Sequence, residues 1–333
     1  MQLSRLIIAA SIPVVIADIT PDSHPIVDLG YVRYRGSYND TSGHVPGYTL
    51  DMWLGNLRWQ APRDIDINGT GTGGQVIDAV DAPLPCPQGY PGWWFNSTAG
   101  ASTDISKTPT GTEDCLNLDI LAPAKPVNTS LPVIVQIHGG GYTLGSSSSL
   151  GPGYELAGNS LVYDMGYALL EYGFGDFYYG PYVDGDIIRD LPSHEFSKGH
   201  FAKVPLLTNH EGYEGVVFSN SSQTTSAELV TDLKTLFPGA TQSFVSRLLQ
   251  LYPRDGFNST FFQRQQIFGD FIISCFTQYM AAAFSDHGEP VYKMIFDAGG
   301  GLHGSLVPFT EAVNLNGNKA SIPFAARMLG VCD

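Results

Sequence analysis

Hydrophobic residues follow two different periods along this chain, and each period predicts its own kind of element. Residues 131–137 (LPVIVQI), 204–208 (VPLLT) and 290–297 (PVYKMIFD) are short runs rich in apolar and β-branched side chains, which predicts strands buried on both faces of a sheet. Between the last two runs the spacing becomes helical. Thr225 and Glu228 form a capping box ahead of Leu229, Leu233, Leu236 and Phe237, which share one helical face, and Pro238-Gly239 stops the helix. Phe244, Val245, Leu248, Leu249 and Tyr252 repeat the spacing, and residues 267–284 predict a longer, more apolar helix. Residues 28–86 are rich in Gly, Pro and aromatics, with β-like pieces such as 29–38, so meander and loop are expected there. Strands separated by helices predict an α/β sheet.

The first residues break this pattern and suggest an address. Arg5 precedes an apolar run over residues 6–17 that closes on Val15-Ile16-Ala17. This is the pattern of a secretory signal peptide, giving an expected division into a leader at 1–17 and one domain at 18–333. The run is broken by Pro13 and is shorter than the ~20 residues a membrane span needs, and no later run is expected to span one. Asn-x-Ser/Thr sequons at Asn39, Asn68, Asn96, Asn128, Asn220 and Asn258 fit a glycosylated extracellular protein. Cys86, Cys115, Cys275 and Cys332 then become disulfide candidates, and no CxxC spacing marks a metal or redox site. Composition narrows the partners. With 17 Lys+Arg against 32 Asp+Glu the formal charge is −15, whose field repels nucleic acid and anionic lipid. Hydrophobic residues at 43% against 15% charged predict a packed body instead of a disordered chain.

The chemistry centres on residues 136–145 (QIHGGGYTLG), three glycines at the end of an expected buried strand. Glycine lets the backbone turn and aim N–H groups at one point, where they can hold the oxyanion of a tetrahedral acyl intermediate. An HGGG-type loop is the partner of the nucleophile elbow in lipases and esterases. Further stretches that stand out are residues 55–62 (GNLRWQAP), 113–120 (EDCLNLDI), 183–185 (VDG), Gly269-Asp270 with Cys275, and 302–308 (LHGSLVP).

With these motifs the chain resembles the type B carboxylesterase/lipase family, which includes the cholinesterases, in a form similar to filamentous-fungal members. The resemblance implies an α/β-hydrolase fold, a mixed and mostly parallel sheet with helices on both faces. It also implies Ser-His-Glu acyl transfer on small-molecule or lipid esters, with no metal and no cofactor. By position, Gly140 and Gly141 resemble the oxyanion-hole donors, and His303, on the Gly-rich loop 299–304, resembles the general base. Glu211 and Glu214 both follow the 204–208 strand. Glu214 is chosen as the acid, because Glu214, Gly215 and Phe218 match the family pattern. Cys86 and Cys115 correspond to the family's first disulfide, which leaves Cys275 and Cys332 as the remaining pair.

One element of the resemblance is missing. No serine of the chain lies in a GxSxG elbow, and the interval from Gly141 to Val183 is too short for the several βαβ units expected, at roughly 30 residues each. Residues 163–175 (YDMGYALLEYGFG) read as two distant family segments abutted. The expectation is therefore an internally shortened hydrolase domain without its central strands and nucleophile, inactive as written and doubtful as a cooperative fold. The rival from another class is a secreted, non-catalytic cholinesterase-like binding or adhesion protein. Other motifs carry less. GxGxxG at 69–74 lacks a strand before it, and His194, His200 and His210 are spaced too irregularly for a helix-borne zinc site. Trp93-Trp94 with Phe95 reads as either a pocket lining or a core cluster.

Overall fold

The structure is a computed structural model, and it describes residues 26–28, 32–36, 44–49, 76–80, 84–86, 93, 112, 115, 117–121, 137–142, 145, 173–177 and 180–307. The expected leader, the sequons at Asn39, Asn68, Asn96 and Asn128, most of the 131–137 strand and Cys332 lie outside the described residues. Strands β1 (Ile26–Asp28), β2 (Arg33–Arg35) and β4 (Val76–Asp78) form one sheet in the order β1-β2-β4, antiparallel and then parallel. Strands β3 (His44–Thr49) and β5 (Asn117–Leu121) pair antiparallel, with a register shift between Val45 and Tyr48. Strands β6 (Leu206–Glu211) and β7 (Val291–Phe296) pair parallel from Leu206↔Val291 to Glu211↔Phe296.

Parallel pairing requires a crossover, and here it is made of helices. After α1 (Pro192–Ser197) and β6 come α2 (Ser226–Leu236), α3 (Gln242–Leu251), α4 (Thr260–Gly269) and α5 (Cys275–Asp286), followed by β7. The capping box forms as its residues predict. Thr225 Oγ1 accepts the Glu228 N–H at 3.2 Å, and Glu228 Oε2 accepts the Thr225 N–H at 2.8 Å. Leu229 and Leu233 of α2, Val245 of α3 and Ile267 of α4 then close one core, with Leu248, Leu249 and Tyr252 packed around it.

Three sequence expectations change. The strand expected at 204–208 runs from Leu206 to Glu211, because its length is set by six paired positions on β7. The helix expected at 267–284 begins at Thr260, where Ser259 Oγ accepts the Phe262 N–H at 3.2 Å, and Asp270–Ser274 forms a π-helical turn inside it. Thr260–Asp286 is thereby 27 residues, long and apolar enough by composition to cross a membrane. This corrects the expectation that no run after the leader reaches that length. The helix is nonetheless a core element: its second half packs on β6 and β7, and Arg264 is buried within its first half.

Cys86 and Cys115 are joined by a disulfide. Cys275, expected to pair with Cys332, is instead an exposed free thiol at the start of α5.

Candidate active site

The carboxyl ends of β6 and β7 place the candidate site, as expected for ligands in open α/β sheets. Beyond β6, the Gly212 N–H donates to the Phe296 carbonyl at 3.0 Å and the Tyr213 N–H to the Gly301 carbonyl at 2.8 Å. Two further backbone bonds thus carry the β6/β7 pairing into the following loops. Glu214 sits on the turn after β6, and His303 on the loop after β7, where Gly301 and Gly304 adopt φ of 54° and 82°.

The structure pairs His303 with Glu214. Nδ1 of His303 lies 2.6 Å from Oε2 of Glu214, and the carboxylate is buried while the imidazole keeps 15% of its side-chain surface. With the proton on Nδ1 donated to the carboxylate, Nε2 is the nitrogen left to take a proton, which is the orientation a general base needs. Phe218 packs its ring 4.9 Å from the imidazole. Glu211, the other carboxylate weighed from the sequence, is not on His303 Nδ1. Its Oε1 accepts the Leu306 N–H at 3.2 Å, and its own backbone N–H donates to Glu214 Oε1 at 2.7 Å.

Two adjacent buried carboxyl groups divide their charge unequally. Burial, the hydrogen bond to Glu214 and repulsion from the Glu214 charge push the Glu211 carboxyl up to about 7. Burial also raises Glu214, but the hydrogen bond and charge of His303, with bonds from Glu211, outweigh it and hold Glu214 below the ordinary glutamate value. The native state therefore holds the Glu211 proton more tightly than the unfolded chain does. Stability from neutral Glu211 is fully present below the ordinary glutamate value and is lost as pH rises through about 7. Glu214 acts oppositely, losing its contribution as pH falls below the ordinary value. Unfolding measured by circular dichroism from about pH 5 to about pH 8 should show a loss of roughly 1–3 kcal/mol that Glu211→Gln abolishes. An unchanged slope in that variant would refute the assignment.

The glycine loop is built for close approach. Gly140 and Gly141 have φ of 127° and 60°, conformations that favour glycine, and Gly141 is buried with a Cβ position that would fall 2.4 Å from Phe177 Cδ1. Ile137, expected at the end of a strand, is exposed and outside any strand. Phe177 belongs to an aromatic cluster with Trp93, Phe174, Phe218 and Phe268, and Trp93 Nε1 donates to the Asp176 carbonyl at 2.7 Å. Trp93 is thus a core residue of that cluster. One cluster touches both the glycine loop, through Phe177, and His303, through Phe218.

Among the described residues, the ligand atoms of Glu211, Glu214 and His303 all lie within 4.8 Å of one another. Their hydrogen bonds to each other and to Leu306 already use the converging atoms. His194 and His200 lie on the surface beside Asp190 and Glu195, respectively, and His210 bonds the Glu211 carbonyl. They form no common site. Sequence reasoning missed Arg264, whose guanidinium donates to Asp232, Phe218, Ser219 and Phe174. It lies ahead of the helix expected at 267–284, between Gln263 and Gln265, where the apolar period gives no signal.

Residues 53–177 match the sequence model of the carboxylesterase family. Esterase-5B of Drosophila persimilis is 30% identical over 154 residues, 45% of this chain and 25% of that protein. The para-nitrobenzyl esterase of Bacillus subtilis is 32% identical over 156 residues, covering 46% and 29%. Secreted lipase 5 of Gibberella zeae is 33% identical over 121 residues, covering 32% and 21%. The matched part of the chain spans about a quarter of the length of these curated relatives. Among solved structures, Aspergillus niger EstA superposes with a TM-score of 0.62 at 16% identity over 94% of this chain and 87% of that one. A thermophilic PNB esterase gives 0.60 at 16% identity over 92% and 86%. The fold is the α/β-hydrolase fold.

Proposed function

We propose that this chain is a secreted, fungal-type carboxylic ester hydrolase by descent, internally shortened, whose base and acid are His303 and Glu214 and whose oxyanion donors are Gly140 and Gly141. The observation that carries this reading is the 2.6 Å contact between His303 Nδ1 and a buried Glu214 carboxylate, on loops 89 residues apart in sequence. A non-catalytic binding module needs no such pair, which favours the hydrolase lineage over the adhesion alternative. An active form with the nucleophile in place would take a small-molecule or lipid ester, with Phe177 and Phe218 as apolar walls. Asn220 and Asn258 are exposed, which accords with glycosylation in a secretory route.

As written, the chain turns over no ester, because no serine stands in a GxSxG elbow for His303 to activate. Loss of a nucleophile costs about 10⁶ in turnover in subtilisin, leaving ~10³–10⁴ over water. A chromogenic short-chain ester assayed with the expressed protein and with His303→Ala should give the same background rate. Turnover that disappears in His303→Ala would overturn the inactivity and reveal another nucleophile.

A further inference from the structure

The buried acid that the base–acid pair does not use is Glu211, the last residue of β6, 7% exposed. Its Oε1 accepts the backbone N–H of Leu306, three residues beyond His303, at 3.2 Å. A carboxyl oxygen of Glu211 lies within 4.8 Å of the Glu214 carboxylate and the His303 imidazole, while Glu214 Oε1 takes the Glu211 backbone N–H at 2.7 Å and Glu214 Oε2 faces His303. Two carboxylates in one buried pocket with a single imidazole cannot both keep their charge without a large electrostatic cost. A proton on Glu211 removes that cost and turns the contact into an O–H···⁻O bond, the strong, charge-assisted kind.

We propose that Glu211 is a positioning residue: as the neutral acid it donates its O–H to the Glu214 carboxylate while its other oxygen holds Leu306, so that one side chain fixes both members of the His303–Glu214 pair. The inference rests on that pairing and gives it a regulator. When Glu211 ionises, the donor to Glu214 is lost and a second negative charge appears beside the imidazole. The groups that face Glu211 are Glu214 on its own turn, His303 from the loop after β7, and His210 beside it on β6. Asp297, at the end of β7, approaches the same turn at Gly212 and Gly301.

The test uses the full chain labelled with ¹³Cδ-glutamate and ¹⁵N-histidine, titrated by NMR from about pH 5 to about pH 9. One glutamate carboxyl is expected to titrate near neutrality, and the His303 Nδ1 shift, which reports its hydrogen bond to Glu214, is expected to respond to that carboxyl step. In Glu211→Gln, whose amide can still donate to Glu214, the carboxyl step and the Nδ1 response to it should both vanish. No ester is used, so failure here is separate from failure of the proposed hydrolase lineage. The wild-type carboxyl titration decides even where a variant does not fold. A wild type whose glutamates all titrate in the ordinary acidic range, or a Glu211→Gln variant whose His303 curve overlays that of wild type, would overturn the proposal.

Discussion

Arg264→Met is expected to lose ~3–5 kcal/mol of stability, the cost of removing one partner of a buried ion pair. Arg264 is 1% exposed at the middle of α4. Its Nε donates to Asp232 of α2 at 2.8 Å, one terminal nitrogen donates to the Phe218 carbonyl at 2.8 Å and to Ser219 Oγ at 3.1 Å, and the other donates to the Phe174 carbonyl. The guanidinium also lies 4.3 Å from the Phe268 ring centroid. Methionine keeps much of the apolar volume but leaves the Asp232 charge and two carbonyls without this donor. Arg264→Lys should recover little, since a point ammonium cannot serve three directions as the planar fork does. Urea unfolding followed by circular dichroism measures the loss. A shift below about 1 kcal/mol would mean that the fork is not the clamp between α2, α4 and the turn after Glu214.

Gly215→Ala is the second large effect, expected above the ~1–3 kcal/mol of ordinary overpacking. A Cβ at Gly215 would stand 1.8 Å from the Gln265 carbonyl oxygen and 2.9 Å from the Gly269 nitrogen, both backbone atoms of α4. No rotamer change relieves a collision with a helix backbone, so the turn and α4 must separate. Because Gly215 follows Glu214 directly, the separation also draws the carboxylate from His303. The variant should therefore lose both thermal stability and the His303 ring-nitrogen signature of a hydrogen-bonded Nδ1. Retention of that signature at an unchanged melting temperature would show that the turn is free to move without the helix. Gly269→Ala, whose Cβ would lie 2.8 Å from the Gly215 nitrogen, probes the contact from the other side.

Much of α2 and α3 was legible because its causes are local. A threonine three residues before a glutamate satisfies the first amides whatever the rest of the chain does, and Leu229, Leu233 and Val245 bury because a 3.6-residue period gives them one face. The start of α4 was not legible, because Gln263, Arg264 and Gln265 are buried polar residues that interrupt the apolar period. Their burial depends on partners such as Asp232 and Tyr252 that no window along the sequence contains. The free thiol of Cys275 was hidden for a similar reason, since counting cysteines says nothing of where a side chain points.

The sequence by itself determined the two hydrophobic periods, the caps and the Gly-rich loops, and through resemblance the candidate residues His303, Glu214, Gly140 and Gly141. Each of those depends on residues a few positions apart or on motif order. Only the tertiary structure decided how Glu214 is brought to the imidazole and what Glu211 does beside it. That arrangement follows from the β6/β7 register, which sets Glu211 opposite Phe296 and brings the two following loops together through Tyr213 and Gly301. A one-residue slip would exchange the faces of every side chain on the strand, and no local pattern encodes the pairing of positions 89 apart.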